Sequence, residues 1–171
     1  MDLILNKEKF GIFLETAKVL NRHNIIPILF GSLGLNRVIG EFAKANDIDV
    51  LISDKLISQK WNDLIEIMKK LNFRLKDKKE HEFIKDSEIV AFGKESDLLN
   101  LSQINPDTLN ISEINGVKFK ELSAEQYLLC YQLMFRDKYR QEKRGKADRE
   151  KIALIQKYLE NKKYDRENLS Q

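Results

Sequence analysis

Residues 25–32 read Ile-Ile-Pro-Ile-Leu-Phe-Gly-Ser, and residues 47–53 read Asp-Ile-Asp-Val-Leu-Ile-Ser. The first run is apolar and stops abruptly at its Gly-Ser pair. The second run alternates with a period of two, which predicts a strand with Asp47 and Asp49 on one face and apolar residues on the other. On a regular strand, the Cα atoms of two such aspartates lie about 6–7 Å apart.

Paired carboxylates downstream of a Gly-Ser turn favour a site for a metal ion and phosphate. Like charges this close repel each other unless a cation or protons intervene, and hard divalent ions prefer oxygen ligands of this kind. The turn at Gly31 and Ser32, ahead of a predicted helix, offers free backbone N–H groups to phosphate. An Asp-x-Asp strand can also be an exposed surface strand, but the upstream turn favours metal binding by Asp47 and Asp49.

These residues resemble the signature of the nucleotidyltransferase superfamily, which has the fold of DNA polymerase beta and includes the aminoglycoside and lincosamide nucleotidyltransferases. The family pattern is an apolar residue, Gly, then Gly or Ser, a short spacer, and Asp-x-Asp between apolar neighbours. Residues 30–32 and 47–50 match this pattern with a slightly long spacer. The resemblance is best over residues 25–100.

The resemblance implies a reaction and a set of site residues. It implies that Gly31 and Ser32 hold the phosphates of a nucleoside triphosphate and that Asp47 and Asp49 bind Mg²⁺ or Mn²⁺. An acceptor hydroxyl would then attack the α-phosphorus and expel pyrophosphate. Lys44, in the loop before the Asp-x-Asp strand, is a candidate phosphate contact, although a lone lysine is more often only solvated.

The family usually has a third carboxylate, on a neighbouring strand, that serves as a metal ligand or as a base. The equivalent segment here reads Val-Ala-Phe, so the expected acid is replaced by Ala91. Glu88 is the candidate catalytic substitute, but it lies three residues earlier and would face the other side of a regular strand. Glu95 and Asp97 are alternatives, as is the absence of any substitute, which would forfeit general-base assistance worth about 10²–10⁴ in rate.

The remaining pattern predicts an α/β (α+β) fold, in which helices flank a small mixed β-sheet and a helical hairpin forms the C-terminus. We expect a nucleotidyltransferase-like domain over residues 1–121 and the hairpin over 122–171. Helices are predicted over 6–22, 32–39, 54–71, 123–135 and 146–161, and strands over 25–30, 47–53, 73–75, 82–85 and 88–92. An Asn-Gly hairpin turn is predicted at 115–116, and residues 140–145 are predicted to connect the last two helices.

Several single positions carry expectations of their own. Asn6 and Asp54 are predicted helix caps, and His81 is predicted to be a surface residue of a hairpin rather than a catalytic group. Lys and Arg exceed Asp and Glu from Arg136 to Arg166. We interpret this excess as a solvated helical hairpin, with binding of nucleic acid or nucleotide phosphate as the alternative.

Composition limits the class of protein. With 171 residues, the chain is long enough for one domain, or for a small domain plus a helical appendage. No apolar run approaches the roughly 20 residues of a membrane span, and the N-terminus lacks a secretory pattern, so we expect no membrane partner. The single cysteine, Cys130, excludes an internal disulfide and favours the cytoplasm. The net charge of +3 does not by itself indicate nucleic-acid binding.

The sequence therefore predicts a metal-dependent enzyme that transfers a nucleoside monophosphate from a nucleoside triphosphate to a hydroxyl group. The acceptor could be a small molecule, an RNA or a partner protein, as in toxin–antitoxin pairs. The alternative is a protein that has kept the fold for binding nucleotide, nucleic acid or a partner chain after catalysis has lapsed.

Overall fold

The computed structural model describes residues 2–40 and 42–170, which form one mixed β-sheet with helices on both faces. The helices are α1 Asp2–Arg22, α2 Gly31–Ile39, α3 Asp54–Ser58, α4 Trp61–Lys70, α5 Glu95–Ser102, α6 Ala124–Phe135 and α7 Lys138–Leu169. The strands are β1 Ile28–Phe30, β2 Ile48–Ile52, β3 Arg74–Asp77, β4 Glu82–Lys85, β5 Glu88–Lys94, β6 Asn110–Ile114 and β7 Val117–Glu121. None of the described helices is both long and apolar enough to span a bilayer.

The sheet places β2, the strand with the carboxylate pair, well inside its width. The strand order is β3-β4-β5-β2-β1-β7-β6. β2 pairs antiparallel with β1 and parallel with β5, and β1 pairs parallel with β7. The outer strand pairs β3–β4, β4–β5 and β6–β7 are antiparallel. The predicted mixed sheet with flanking helices is confirmed.

The two faces of β2 enter two different cores. Val50 and Ile52 pack on one face with apolar residues of α1 and α4. Leu51 packs on the opposite face with Tyr127 of α6 and Ile155 of α7. Because side chains alternate along a strand, Asp49 lies on the same face as Leu51. Asp49 therefore faces the C-terminal helices, whereas Asp47 immediately precedes β2, and both aspartates line one cleft with residues of α7.

The first helix packs as its pattern predicts but begins earlier. Phe13, Ala17 and Leu20 are fully buried against the sheet. The prediction that Asn6 caps the helix is wrong, because Asn6 lies inside α1. Its buried side chain donates to the carbonyl of Ala43 at 2.9 Å and accepts from the backbone N–H of Ala45 at 2.9 Å. It thereby anchors the loop that leads into β2.

The predicted helix over 54–71 is two helices, α3 and α4, separated at Gln59 and Lys60. Ser53 holds the N-cap position, and the side chain of Asp54 instead accepts hydrogen bonds from the backbone N–H and the hydroxyl of Ser96. The cap assigned to Asp54 is therefore wrong. A helix, α5, also follows β5 directly, in a stretch for which no helix is predicted from the sequence.

The predicted Asn-Gly turn and the predicted helix start at residue 123 are confirmed, whereas His81 differs from its prediction. Asn115 and Gly116 both have positive φ angles, of 50° and 79°, as a type I′ turn requires. Ser123 and Gln126 form a complete capping box at the start of α6. His81 lies against Trp61, with ring centroids 5.2 Å apart, and is half-buried rather than a freely exposed surface residue.

The C-terminal hairpin is longer than predicted. α7 is continuous from Lys138 to Leu169, and its first turn is capped by Asp137, whose side chain accepts from the backbone N–H of Arg140 at 3.1 Å. The predicted connector over 140–145 is therefore wrong. It rested on Gly145, but a single glycine costs a helix only about 1 kcal/mol relative to alanine. That cost does not end a helix whose packed face continues to Ile155.

Candidate active site

A cleft of about 540 Å³ opens where the end of β1 meets the start of β2, below helices α6 and α7. The lining residues are Phe30, Gly31, Ser32, Phe42, Ala43, Lys44, Asn46, Asp47, Asp49, Tyr131, Met134, Arg140, Arg144, Ala147, Glu150, Lys151 and Leu154. The cleft thus brings together five of the six residues that the sequence assigned to the site.

Gly31 leaves room for the carboxylate of Asp49 beside the backbone. β1 pairs with β2 so that Phe30 lies opposite Asp49, and the chain then turns into α2 at Gly31 with a φ of +65°. A Cβ atom on Gly31 would lie 2.0 Å from Oδ2 of Asp49. Glycine is therefore required both for the left-handed backbone and for the space that the carboxylate occupies.

The start of α2 is open to an anion. Phe30 occupies the N-cap position and has no side-chain oxygen that could cap the first turn. The first N–H groups of a helix have no partner within that helix, and together with the helix dipole they attract negative charge. Ser32, in the first turn, adds a half-buried hydroxyl to the same wall.

Asp49 is held in an environment that disfavours its charge. Burial, followed by the neighbouring carboxylate of Asp47, raises its pKa from 3.8 to about 6. Arg144, Lys151 and Arg140 act in the opposite direction but do not cancel these effects. The carboxylate is therefore ionised at neutral pH at a free-energy cost that a bound cation would relieve.

The opposite wall of the cleft is a cationic stripe on α7, made of Arg140, Arg144 and Lys151. These residues are four and seven positions apart, so a regular helix places them on one face. Burial lowers the pKa of Lys151, while the nearby Asp148 opposes that change. These three residues of the predicted solvated hairpin therefore also line the cleft. The spacing of four and seven residues could have identified these three cations from the sequence. The connector predicted over 140–145 instead left Arg140 and Arg144 outside the predicted helix that contains Lys151.

Asp148 fixes one member of the cationic stripe. Its side chain is fully buried, and its two oxygens accept from Nε of Arg140 at 2.7 Å and from Nη2 at 3.2 Å. A two-point contact of this kind sets the plane of the guanidinium as well as its position. Asp148 thus orients Arg140 from behind the cleft.

Two tyrosines of α6 lie next to Asp49, and one of them, Tyr131, lines the cleft. Burial, followed by the carboxylates of Asp49 and Asp148, raises the pKa of Tyr131, so its hydroxyl stays protonated and can donate a hydrogen bond. Tyr127 donates to the carbonyl of Leu29 at 3.3 Å and holds β1 against α6.

The position expected for a third carboxylate holds alanine. β2 and β5 pair so that Asp49 lies beside Ala91. Glu88, three residues earlier, lies on the other face of the sheet, where it forms an ion pair with Lys9 of α1. The structure therefore does not bring Glu88 to the cleft, and the reason is the strand alternation itself. Glu95 lies in a separate group with Asp54 and Asp107, and Asp97 is exposed and does not line the cleft.

Comparison with known proteins gives one relative by sequence. No family model matches the chain. The protein named uncharacterized protein YnaI, from Bacillus subtilis (strain 168), is 33% identical over 153 residues. The match covers 89% of this chain and 98% of that protein.

Two solved structures share the fold. A crystal structure of an antigenic nucleotidyltransferase-like protein from Paracoccidioides brasiliensis matches with a TM-score of 0.59 and 16% identity, covering 95% of this chain and 91% of that chain. The solution structure of the antibiotic-resistance factor ANT(2'')-Ia matches with a TM-score of 0.54 and 12% identity, covering 99% and 98%. The chain therefore has the nucleotidyltransferase fold and belongs to one family with the YnaI protein of Bacillus subtilis.

Proposed function

We propose that this protein transfers a nucleoside monophosphate from a magnesium-bound nucleoside triphosphate to an acceptor hydroxyl. The observation that carries the proposal is the arrangement of charge in the cleft. Two carboxylates lie at one wall beside an open helix N-terminus, and three cations of α7 lie at the other. In a metal–triphosphate complex, the positive metal ion complements the two carboxylates. The negative phosphates complement the helix N-terminus and the three cations.

The carboxylate pair fits a divalent metal ion. Asp47 and Asp49 supply the oxygen donors that Mg²⁺ prefers, and burial together with the charge of Asp47 raises the pKa of Asp49, a cost that a bound cation would relieve. Within residues 2–40 and 42–170, no cluster of three or more His, Cys, Asp or Glu residues forms a metal site. Two carboxylates nevertheless suit Mg²⁺, which usually keeps waters and takes donor phosphates as further ligands. Bound there, the metal would neutralise phosphate charge and make the α-phosphorus more electrophilic.

The remaining residues have distinct tasks in this proposal. Gly31 and Ser32 present the start of α2 to the phosphates. Arg140 and Arg144 neutralise the charge that accumulates on the pyrophosphate as it leaves. Lys44, exposed at the rim, can contact a phosphate of the incoming donor.

The reaction exchanges one bond for another at the α-phosphorus. The acceptor oxygen forms a bond to that phosphorus while the bond to the bridging oxygen of the β-phosphate breaks. Pyrophosphate leaves with the electron pair, and the acceptor proton passes to a base. Most of the catalytic effect is expected from positioning and from electrostatic stabilisation within the cleft.

Pyrophosphate release tests the proposal. The protein is incubated with Mg²⁺ and each of the four common nucleoside triphosphates, alone and with a panel of hydroxyl acceptors that includes RNA and small molecules. We expect magnesium-dependent release that falls at least about 10²-fold when Asp47→Asn and Asp49→Asn are combined. The matched control is Asp86→Asn in an exposed turn with positive φ, a conformation that asparagine accepts. Release that survives the double substitution would refute the proposal.

A further inference from the structure

The described residues that line the cleft include a third carboxylate, and it comes from α7 rather than from the sheet. Its acidic members are Asp47, Asp49 and Glu150. We infer that Glu150 is the catalytic base that takes the proton from the acceptor hydroxyl. This inference rests on the proposed function and names a further catalytic residue for it.

The first argument is that β5 has alanine at the position where the third carboxylate is expected. Ala91 lies directly beside Asp49, and a methyl group can neither accept a proton nor orient a hydroxyl. Glu88, the nearest acid earlier on the strand, is paired with Lys9 on the other face. The side chains of β5 therefore supply no base to the cleft.

The second argument is helix geometry. Glu150 follows Ala147 by three positions and precedes Leu154 by four, and all three line the cleft. Residues at these spacings form one row along a helix. Their row runs beside the cationic stripe, so the helix that binds the leaving group also presents a carboxylate to the same space.

The third argument is that Glu150 is uncommitted, in contrast to the other acid nearby on α7. Asp148 is fully buried and bound to Arg140 through both oxygens. Among the ion pairs and side-chain hydrogen bonds of the described residues, none involves Glu150, and its side chain is exposed. A base needs this combination, because it must meet an incoming hydroxyl and later return the proton to solvent.

The proton balance of the step is simple. As the acceptor oxygen bonds to the α-phosphorus, its proton moves to the carboxylate of Glu150, and pyrophosphate leaves with the electrons of the broken bond. Glu150 then releases the proton to water. Among the described residues, Glu150 does not form a three-ligand metal site with Asp47 and Asp49, so the inference assigns it the proton and not the metal.

The test compares variants in magnesium-dependent pyrophosphate release, with water as the acceptor that is always available. We expect Glu150→Gln to lower kcat by about 10²–10⁴ and to leave the melting temperature and the KM for the magnesium–triphosphate complex unchanged. Glu142→Gln, on an exposed part of α7 that does not line the cleft, is the matched control and should match the wild type.

A rescue experiment separates a base from a structural role. Ala91→Asp places a carboxylate beside Asp49, where the family usually has one, and should restore part of the kcat lost in Glu150→Gln. A Glu150→Gln protein with wild-type kcat, or one that loses triphosphate binding together with activity, would overturn the inference. If the wild-type protein binds the magnesium–triphosphate complex but releases no pyrophosphate, the proposed transfer fails, and the inference fails with it.

Discussion

Asp49 is the residue on which the chemistry of the cleft depends most. Its neighbours along the strand are apolar, and the residue two positions earlier is another aspartate. Its carboxylate occupies the space that Gly31, having no Cβ, leaves free. Burial and the charge of Asp47 raise its pKa to about 6, although three cations of α7 oppose the change. The folded protein therefore holds a carboxylate whose ionisation is costly until a cation arrives.

This environment predicts that Asp49→Asn stabilises the metal-free protein at neutral pH. The pKa of Asp49 rises from 3.8 to about 6 on folding, so the group penalises the folded state as pH rises through that range. Above pH 6 the penalty is complete and on the order of 3 kcal/mol, since one pKa unit corresponds to about 1.4 kcal/mol. Well below the unfolded-state pKa of 3.8, the carboxyl group is protonated in both states, and the penalty vanishes.

Urea unfolding with a chelator present measures this effect. The free energy of unfolding of Asp49→Asn should exceed that of the wild type by up to about 3 kcal/mol at pH 7.5, and by only about 1 kcal/mol at pH 4.5. Asp86→Asn, in an exposed turn, should show no such difference. A variant that is less stable than the wild type at pH 7.5, or a gain that does not depend on pH, would contradict the account of Asp49.

At the scale of elements, the junction of β1 and α2 builds half of the site. The strand ends opposite Asp49, and the helix begins one residue later with a backbone that only glycine adopts easily. The sequence predicted this junction because all of its signals are local. The same holds for the Asn115-Gly116 turn and the Ser123 capping box, where residues within one turn of each other determine the structure.

We predict that Gly31→Ala displaces the carboxylate of Asp49 and removes magnesium-dependent triphosphate binding. The added Cβ would lie 2.0 Å from Oδ2 of Asp49, and the alanine backbone would have to adopt a φ of +65°. The matched control is Gly11→Ala in α1, where a Cβ meets nothing within 4 Å and alanine should add about 0.5–1 kcal/mol of stability. Thermal melting with and without ligand gives both results. Ligand-induced stabilisation of Gly31→Ala equal to that of the wild type would contradict this role.

Elements that depend on distant partners could not be predicted from local pattern. Asn6 resembles a helix cap in the sequence, but its partners lie in the loop at residues 43–45. Glu88 lies three residues before the expected third-acid position, but its partner is Lys9, 79 residues earlier. Such pairs arise only when the sheet brings distant segments together.

At the scale of the whole molecule, the site forms where the sheet meets the C-terminal hairpin. The carboxylate pair comes from β2, and the cations come from a helix about 100 residues later in the chain. Burial of Ile155 and Tyr127 in one core with Leu51 fixes α7 over that face of the sheet. Sequence patterns located the anionic wall because it is contiguous, whereas the cationic wall follows from packing.

The most direct test of this account is thermal melting of four proteins with a nucleoside triphosphate, with and without Mg²⁺. A ligand at about 100 times its dissociation constant stabilises by about 2.7 kcal/mol, which is a rise of roughly 5–10 °C for a chain of this length. The wild type should show this rise only with Mg²⁺, and so should Arg166→Ala, a control near the exposed end of α7.

The two walls of the cleft should both be needed. Combined Asp47→Asn and Asp49→Asn should abolish the magnesium-dependent rise, and Arg144→Ala should reduce it by weakening phosphate binding from α7. A rise that needs no Mg²⁺, or that persists without both aspartates, would contradict the claim that this cleft holds a metal–triphosphate complex between β2 and α7.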